Sequence, residues 1–148
     1  MDPDKYNDAM SLQPPLRLFS LDEANRMIPG IKARLKALRT TWREVQALQG
    51  KVDIEELTGA DGKGGLTEDA RARIVALNDD LLRRMESFEE QLEEFHALGC
   101  ELKDLEQGLV DFYSRRNGQL CYLCWQDGED EIRFWHSLEG GFTARQPI

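Results

Sequence analysis

Read for its apolar positions alone, the chain changes rhythm once. From Ile28 the apolar residues fall at Ile28, Ile31, Leu35, Leu38, Trp42 and Val45, in alternating steps of three and four. A mean spacing of about 3.5 residues predicts a helix with a narrow, coiled-coil-like seam. A second seam runs through Ile74, Leu77, Leu81, Met85, Phe88, Leu92 and Phe95. Start and stop signals bracket both. Ser20 with Glu23 three residues on reads as a capping box, with Phe19 placed to staple the first turn. Thr67 followed by Glu68 and Asp69 reads as a second N-terminus, and Gly99 as its stop. Pro29-Gly30 predicts a break: a short segment ending at Met27 and Ile28, then a new helix with Pro29 in its first turn. Five glycines between positions 50 and 65 predict a long flexible connection.

After Gly99 the apolar period falls from 3.5 to 2. "LVDFYSRRNGQLCYLCW" reads as two strands around Asn117-Gly118, a strong two-residue hairpin signal. "QDGEDE" turns the chain, "IRFWH" returns as a third strand, and "CELKD" adds a short edge strand. The tail "GGFTARQPI" reads as irregular, with Phe142 an anchor. The expected fold is α+β: a long antiparallel helical hairpin packed on a three- to four-stranded antiparallel sheet. Residues 1–18 are expected to be a flexible tail. Residues 19–148 form one domain, with the hairpin over 19–98, its Gly-rich loop over 50–65, and a β-rich block over 99–148.

An Asn-Gly turn fixes register. Arg116 faces Gln119, so Asp111 faces Cys124, Phe112 faces Leu123 and Tyr113 faces Tyr122. If Asp127–Asp130 is the next loop, Trp125 faces Ile132, Cys124 faces Arg133, Tyr122 faces Trp135 and Cys121 faces His136. One sheet face then carries Val110, Phe112, Cys121, Leu123, Trp125, Ile132, Phe134 and His136, and packs on the helices. The other carries Asp111, Tyr113, Tyr122, Cys124, Arg133 and Trp135. The row Tyr113, Tyr122 and Trp135 is the expected partner-binding surface, since amphipathic aromatics are enriched at interfaces.

Charge sharpens this picture. Residues 21–49 carry a net +3 and residues 66–97 a net −5, which favours pairing of the two helices. Overall, the 148 residues carry a net charge of −9, against a broad nucleic-acid or anionic-membrane surface. No apolar run is long enough for a membrane span. The first ten residues lack a signal pattern, and three cysteines suit reduced thiols, so a cytoplasmic protein is expected.

The stretches "FSLDEAN…IP", "GCELKDLEQGLVDF", "YLCW…GEDEI…WH" and "EGGFTARQP" resemble the bacterial family catalogued as domain of unknown function 2203, over roughly residues 18–148. The resemblance implies a small prokaryotic cytoplasmic protein and no stated activity. It puts Asp111, Cys124, Trp125, His136 and Arg145 at motif positions, and Cys121 outside them.

No complete catalytic constellation is visible, and no catalytic residue or cofactor is assigned. The expected function is a non-enzymatic interaction module, homodimeric and binding a further protein. The alternative is a protein that binds a metal or small anion through Asp111, Cys124, His136 and Arg145, with Arg133 nearby. Cys121 and Cys124 point to opposite faces of one strand and cannot chelate together. Only Cys121 and His136 converge in the expected register, too few ligands for zinc. Glu93 and His96 have di-iron spacing, but Leu92 and Phe95 hold the seam and turn Glu93 outward. "GADGKGG" lacks the Ser or Thr of a phosphate loop. "EGGFTAR" offers two glycines and Arg145 to an anion.

Overall fold

The computed structural model describes residues 16–148. Two helices, α1 (Leu21–Thr58) and α2 (Glu68–Ala97), form an antiparallel hairpin. Five strands follow: β1 (Cys100–Asp104), β2 (Leu109–Arg116), β3 (Gln119–Gln126), β4 (Phe134–Ser137) and β5 (Gln146–Pro147). They pair in chain order as one antiparallel sheet. A 3₁₀ turn at Phe142–Ala144 precedes β5. The α+β class stands, with a strand more than the upper expectation because the tail pairs back on β4.

Both helix starts are capped as the sequence indicates. Ser20 Oγ accepts from the Glu23 amide and Thr67 Oγ1 from the Ala70 amide. Neither expected break within the first helix occurs: α1 runs without interruption through Pro29 and Gly50. An interior proline costs roughly 3 kcal/mol and an interior glycine about 1. Ile28 and Ile31 on either side of Pro29 are both buried, as is Val52 beyond Gly50, and their packing outweighs those costs. The connection therefore shrinks to residues 59–67. It is ordered by the Asp61 carboxylate, which accepts from the Lys63 and Gly65 amides, and by a bridge between Ala60 and Leu66. Those two amide bonds hold the Asp61 carboxyl below its ordinary range.

Three ion pairs link the helices, Arg34–Glu94, Arg84–Glu44 and Arg73–Glu55; only the first joins a basic group of α1 to an acidic group of α2. Trp42 departs from the seam. It is 43% exposed and leans on Phe88.

The main core lies where the open end of the hairpin meets the sheet. Ile28, Ile31, Leu35 and Leu38 of α1 and Phe95 of α2 pack against Val110, Phe112, Leu123 and Trp125. Phe19 seals the edge, its ring edge-on to Phe112 and its amide bonded to the Tyr113 carbonyl. Arg17 is tied down as well, donating to the Leu98 carbonyl, so ordered chain begins before residue 19. The rest of the expected tail, residues 1–15, lies outside the described residues. No described helix is long and apolar enough to cross a membrane.

Candidate metal centre

The β2–β3 register follows the Asn-Gly turn throughout. Asp111 faces Cys124, Phe112 faces Leu123 and Tyr113 faces Tyr122. Asn117 and Gly118 both take positive φ, as a two-residue turn of this hand requires.

The next register differs by one residue. Tyr122 faces His136, Leu123 faces Trp135, Cys124 faces Phe134 and Cys121 faces Ser137. The connection is longer than Asp127–Asp130 and spans residues 127–133. It is shaped by bonds that the sequence does not announce. Glu129 Oε1 accepts from the Gln126 amide, Trp125 Nε1 donates to the Glu129 carbonyl, and the Ile132 amide donates to Asn25 Oδ1 of α1. A one-residue slip exchanges the two faces of a strand. Trp135 therefore leaves the expected aromatic row and packs against the core, with Arg116 over its ring. His136 crosses the other way, away from Cys121 and onto the face of Asp111, Tyr122 and Cys124.

The observed register assembles a cluster. One donor atom each from Asp111, Cys124 and His136 lies within 4.8 Å of the others, and all three residues are buried. His136 Nε2 sits 3.0 Å from Asp111 Oδ2. Its Nδ1 sits 2.8 Å from the Ser137 carbonyl. A carbonyl only accepts, so Nδ1 carries a hydrogen and Nε2 faces the cluster. The other carboxylate oxygen, Asp111 Oδ1, is buried and has no hydrogen-bond partner. Burial, with the Asp111 charge adding to it, pushes the Cys124 thiol up to about 12.

A cavity of about 190 Å³ adjoins the cluster. Tyr122, Leu109, Leu138, Gly140, Gly141 and Phe142 line it. Lys103 lines it too. This lysine is the extra residue where the β1–β2 register shifts between Leu102 and Asp104. Its Nζ contacts Glu101 at 2.5 Å and lies 5.1 Å from the centre of the Tyr122 ring. Tyr113 donates to the other Glu101 oxygen and packs against Tyr122, the two rings tilted by 44°. The Glu101 carboxylate raises the Tyr113 phenol pKa. Burial alone would raise that of Glu101, but the bonds from Lys103 and Tyr113 outweigh it and lower it.

Of the other residues singled out from sequence, Arg145 is committed elsewhere. Its Nη2 donates to Glu129 Oε1 and to the Cys124 carbonyl, and its guanidinium sits between the Phe134 and Phe142 rings. It pins the 3₁₀ turn beside the cavity rather than presenting a charge to an anion. Arg133 is exposed, pairs with Glu131 and does not flank Cys124. Cys121 is buried on the opposite face, so the Cys121–His136 pair does not form. Lys103, Glu129 and the Gly140-Gly141 lining were not marked by any sequence signal, apart from the glycine pair itself.

The model of an uncharacterised conserved protein family, DUF2203, matches residues 17–148. The chain belongs to that family. No curated protein and no solved structure matches it. In this DUF2203 chain, the matched region holds every residue of the cluster and of the cavity.

Proposed function

We propose that this DUF2203 protein binds a single transition-metal ion, of the zinc class, through Asp111, Cys124 and His136. The supporting observation is the convergence of three buried donors of different chemistry, one of them with a carboxylate oxygen lacking any partner. Leaving a buried acceptor atom without a partner costs on the order of 1–3 kcal/mol, and a bound cation removes that cost. The span also fits. Bonds of roughly 2.0–2.3 Å place tetrahedral ligand atoms about 3.3–3.8 Å apart, so the donors need approach by only about 1 Å. The Ser137 carbonyl holds His136 with Nε2 as the ligating atom, the usual arrangement around a metal-bound imidazole. Thiolate and carboxylate together neutralise a divalent charge within a buried site.

The same geometry argues against a cysteine nucleophile. That chemistry needs one ring nitrogen for the thiol and the other for an orienting acid. Here the nitrogen far from the thiol, Nδ1, is held by the Ser137 carbonyl, and the acid, Asp111, lies beside Nε2 on the thiol's own side.

Isothermal titration of chelator-treated protein with zinc, followed by elemental analysis, tests this reading. One ion per chain is expected, with affinity reduced at least about tenfold by His136→Ala or Asp111→Asn. No uptake, or equal uptake by both variants, would sink it.

A self-associating module is a second reading, supported by Ile54, Leu57, Val75 and Leu82, all more than half exposed on the hairpin. In it, the cytoplasmic homodimer expected from sequence assembles through the helices.

A further inference from the structure

Three protein donors leave a zinc-class ion with room for an exogenous ligand, and the surroundings of that position are specific. The cavity beside the cluster holds about 190 Å³. At roughly 30 Å³ per water, this is space for a molecule on the order of six non-hydrogen atoms. Its wall includes the aliphatic Leu109. Leu138 and Phe142, which also line it, are 44% and 40% exposed, apolar surface that the fold leaves partly uncovered. One cationic side chain lines the cavity, Lys103, which interrupts the regular β1–β2 pairing. Bulges of this kind re-aim a side chain and recur beside functional sites. Glu101 and the Tyr122 ring hold the lysine in place, and Tyr113 in turn holds Glu101. Two cationic groups, the metal and the Lys103 ammonium with Glu101 on one side of it, together with an apolar lining, suit an anion that also has a hydrocarbon part.

We propose that this cavity binds a small carboxylate with a short apolar body, held between the metal ion and Lys103. The proposal rests on the metal reading above. The carboxylate would supply the ligand the protein does not, Lys103 would stabilise its charge, and Leu109, Leu138 and Phe142 would cover its chain. A compact inorganic oxyanion would meet the two cationic points and leave the apolar surface uncovered. A neutral isostere would fill the space without the charge.

The full chain loaded with cobalt(II) provides the test, because cobalt bound by a thiolate and an imidazole reports ligand exchange in its visible spectrum. Butyrate, butyramide and inorganic phosphate are titrated separately. Butyrate is expected to shift the spectrum saturably, and the other two to bind at least about tenfold more weakly. Lys103→Gln should weaken butyrate about tenfold and leave cobalt affinity unchanged, while Lys103→Arg keeps most of the butyrate affinity. The proposal is overturned if cobalt binds but butyrate gives no saturable shift, if Lys103→Gln binds butyrate like the parent, or if phosphate binds as tightly. Failure to bind cobalt at all removes the metal reading and this one with it. The two failures are therefore distinguishable in one experiment.

Discussion

At the scale of single residues, burial governs the chemistry of the thiols. All three cysteines are buried and unpaired. Cys100 is 2% exposed among core residues, and burial pushes its thiol from 9.0 up to about 11. A raised pKa in the folded chain means that the protonated form is favoured there. Its stabilising share is complete below pH 9, where the unfolded thiol is still protonated, and is lost as pH rises towards 11. Metal-free protein should therefore lose stability between pH 9 and 11, with up to roughly 2 kcal/mol of the loss due to Cys100. Denaturant midpoints at pH 8 and pH 11 for the parent and Cys100→Ala isolate that share. A loss of the same size in the variant would assign the effect to other groups. Cys124 and Tyr113 act in the same direction and remain in both proteins.

At the scale of elements, the difference between what could and could not be read from sequence comes down to loop chemistry. Asn117-Gly118 permits one tight turn, so Asp111 opposite Cys124 follows from the sequence alone. The β3–β4 connection carries no such constraint. Its length is set by Glu129, Asn25 and the Trp125 ring nitrogen, partners that only the folded chain brings together. The sequence therefore marks His136 as chemically interesting, but the expected register puts it on the wrong face. Lys103 was invisible because a bulge leaves no compositional mark. Pro29 and Gly50 disfavour a continuous helix by local propensity, which tertiary burial of Ile28, Ile31 and Val52 overrides. The corrected register has a measurable consequence. Trp125 is fully buried with its ring nitrogen bonded, while Trp135 is half-buried against the same core. Trp125→Ala should destabilise the fold by about 3–5 kcal/mol and Trp135→Ala by roughly half of that. Equal, small losses at Trp135 and at a fully exposed position would put Trp135 back on a free face.

At the scale of the molecule, stability is unevenly distributed. The sheet, the open end of the hairpin and Phe19 share one core, and the sheet carries the candidate metal centre on its other face. Beyond it, α1 continues as part of a helix of 38 residues, about 57 Å long. Its outer half buries little: Val45, Val52, Ala70 and Leu81 lie between the helices, and Gly59 packs against Ala70 so closely that a side chain there would collide with the alanine methyl. Ile54, Leu57, Val75 and Leu82 face outward. A two-helix segment with so narrow a seam should open locally more often than the junction. Hydrogen exchange at about 1 μM is expected to show amides of residues 50–80 exchanging at least about tenfold faster than those of 31–38 and 109–125. If the outer half is also where copies associate, its protection should rise with protein concentration while that of the junction stays constant. Protection of residues 50–80 that is independent of concentration up to about 100 μM would count against association through the hairpin, because a partner that covers these helices must slow their exchange as it accumulates.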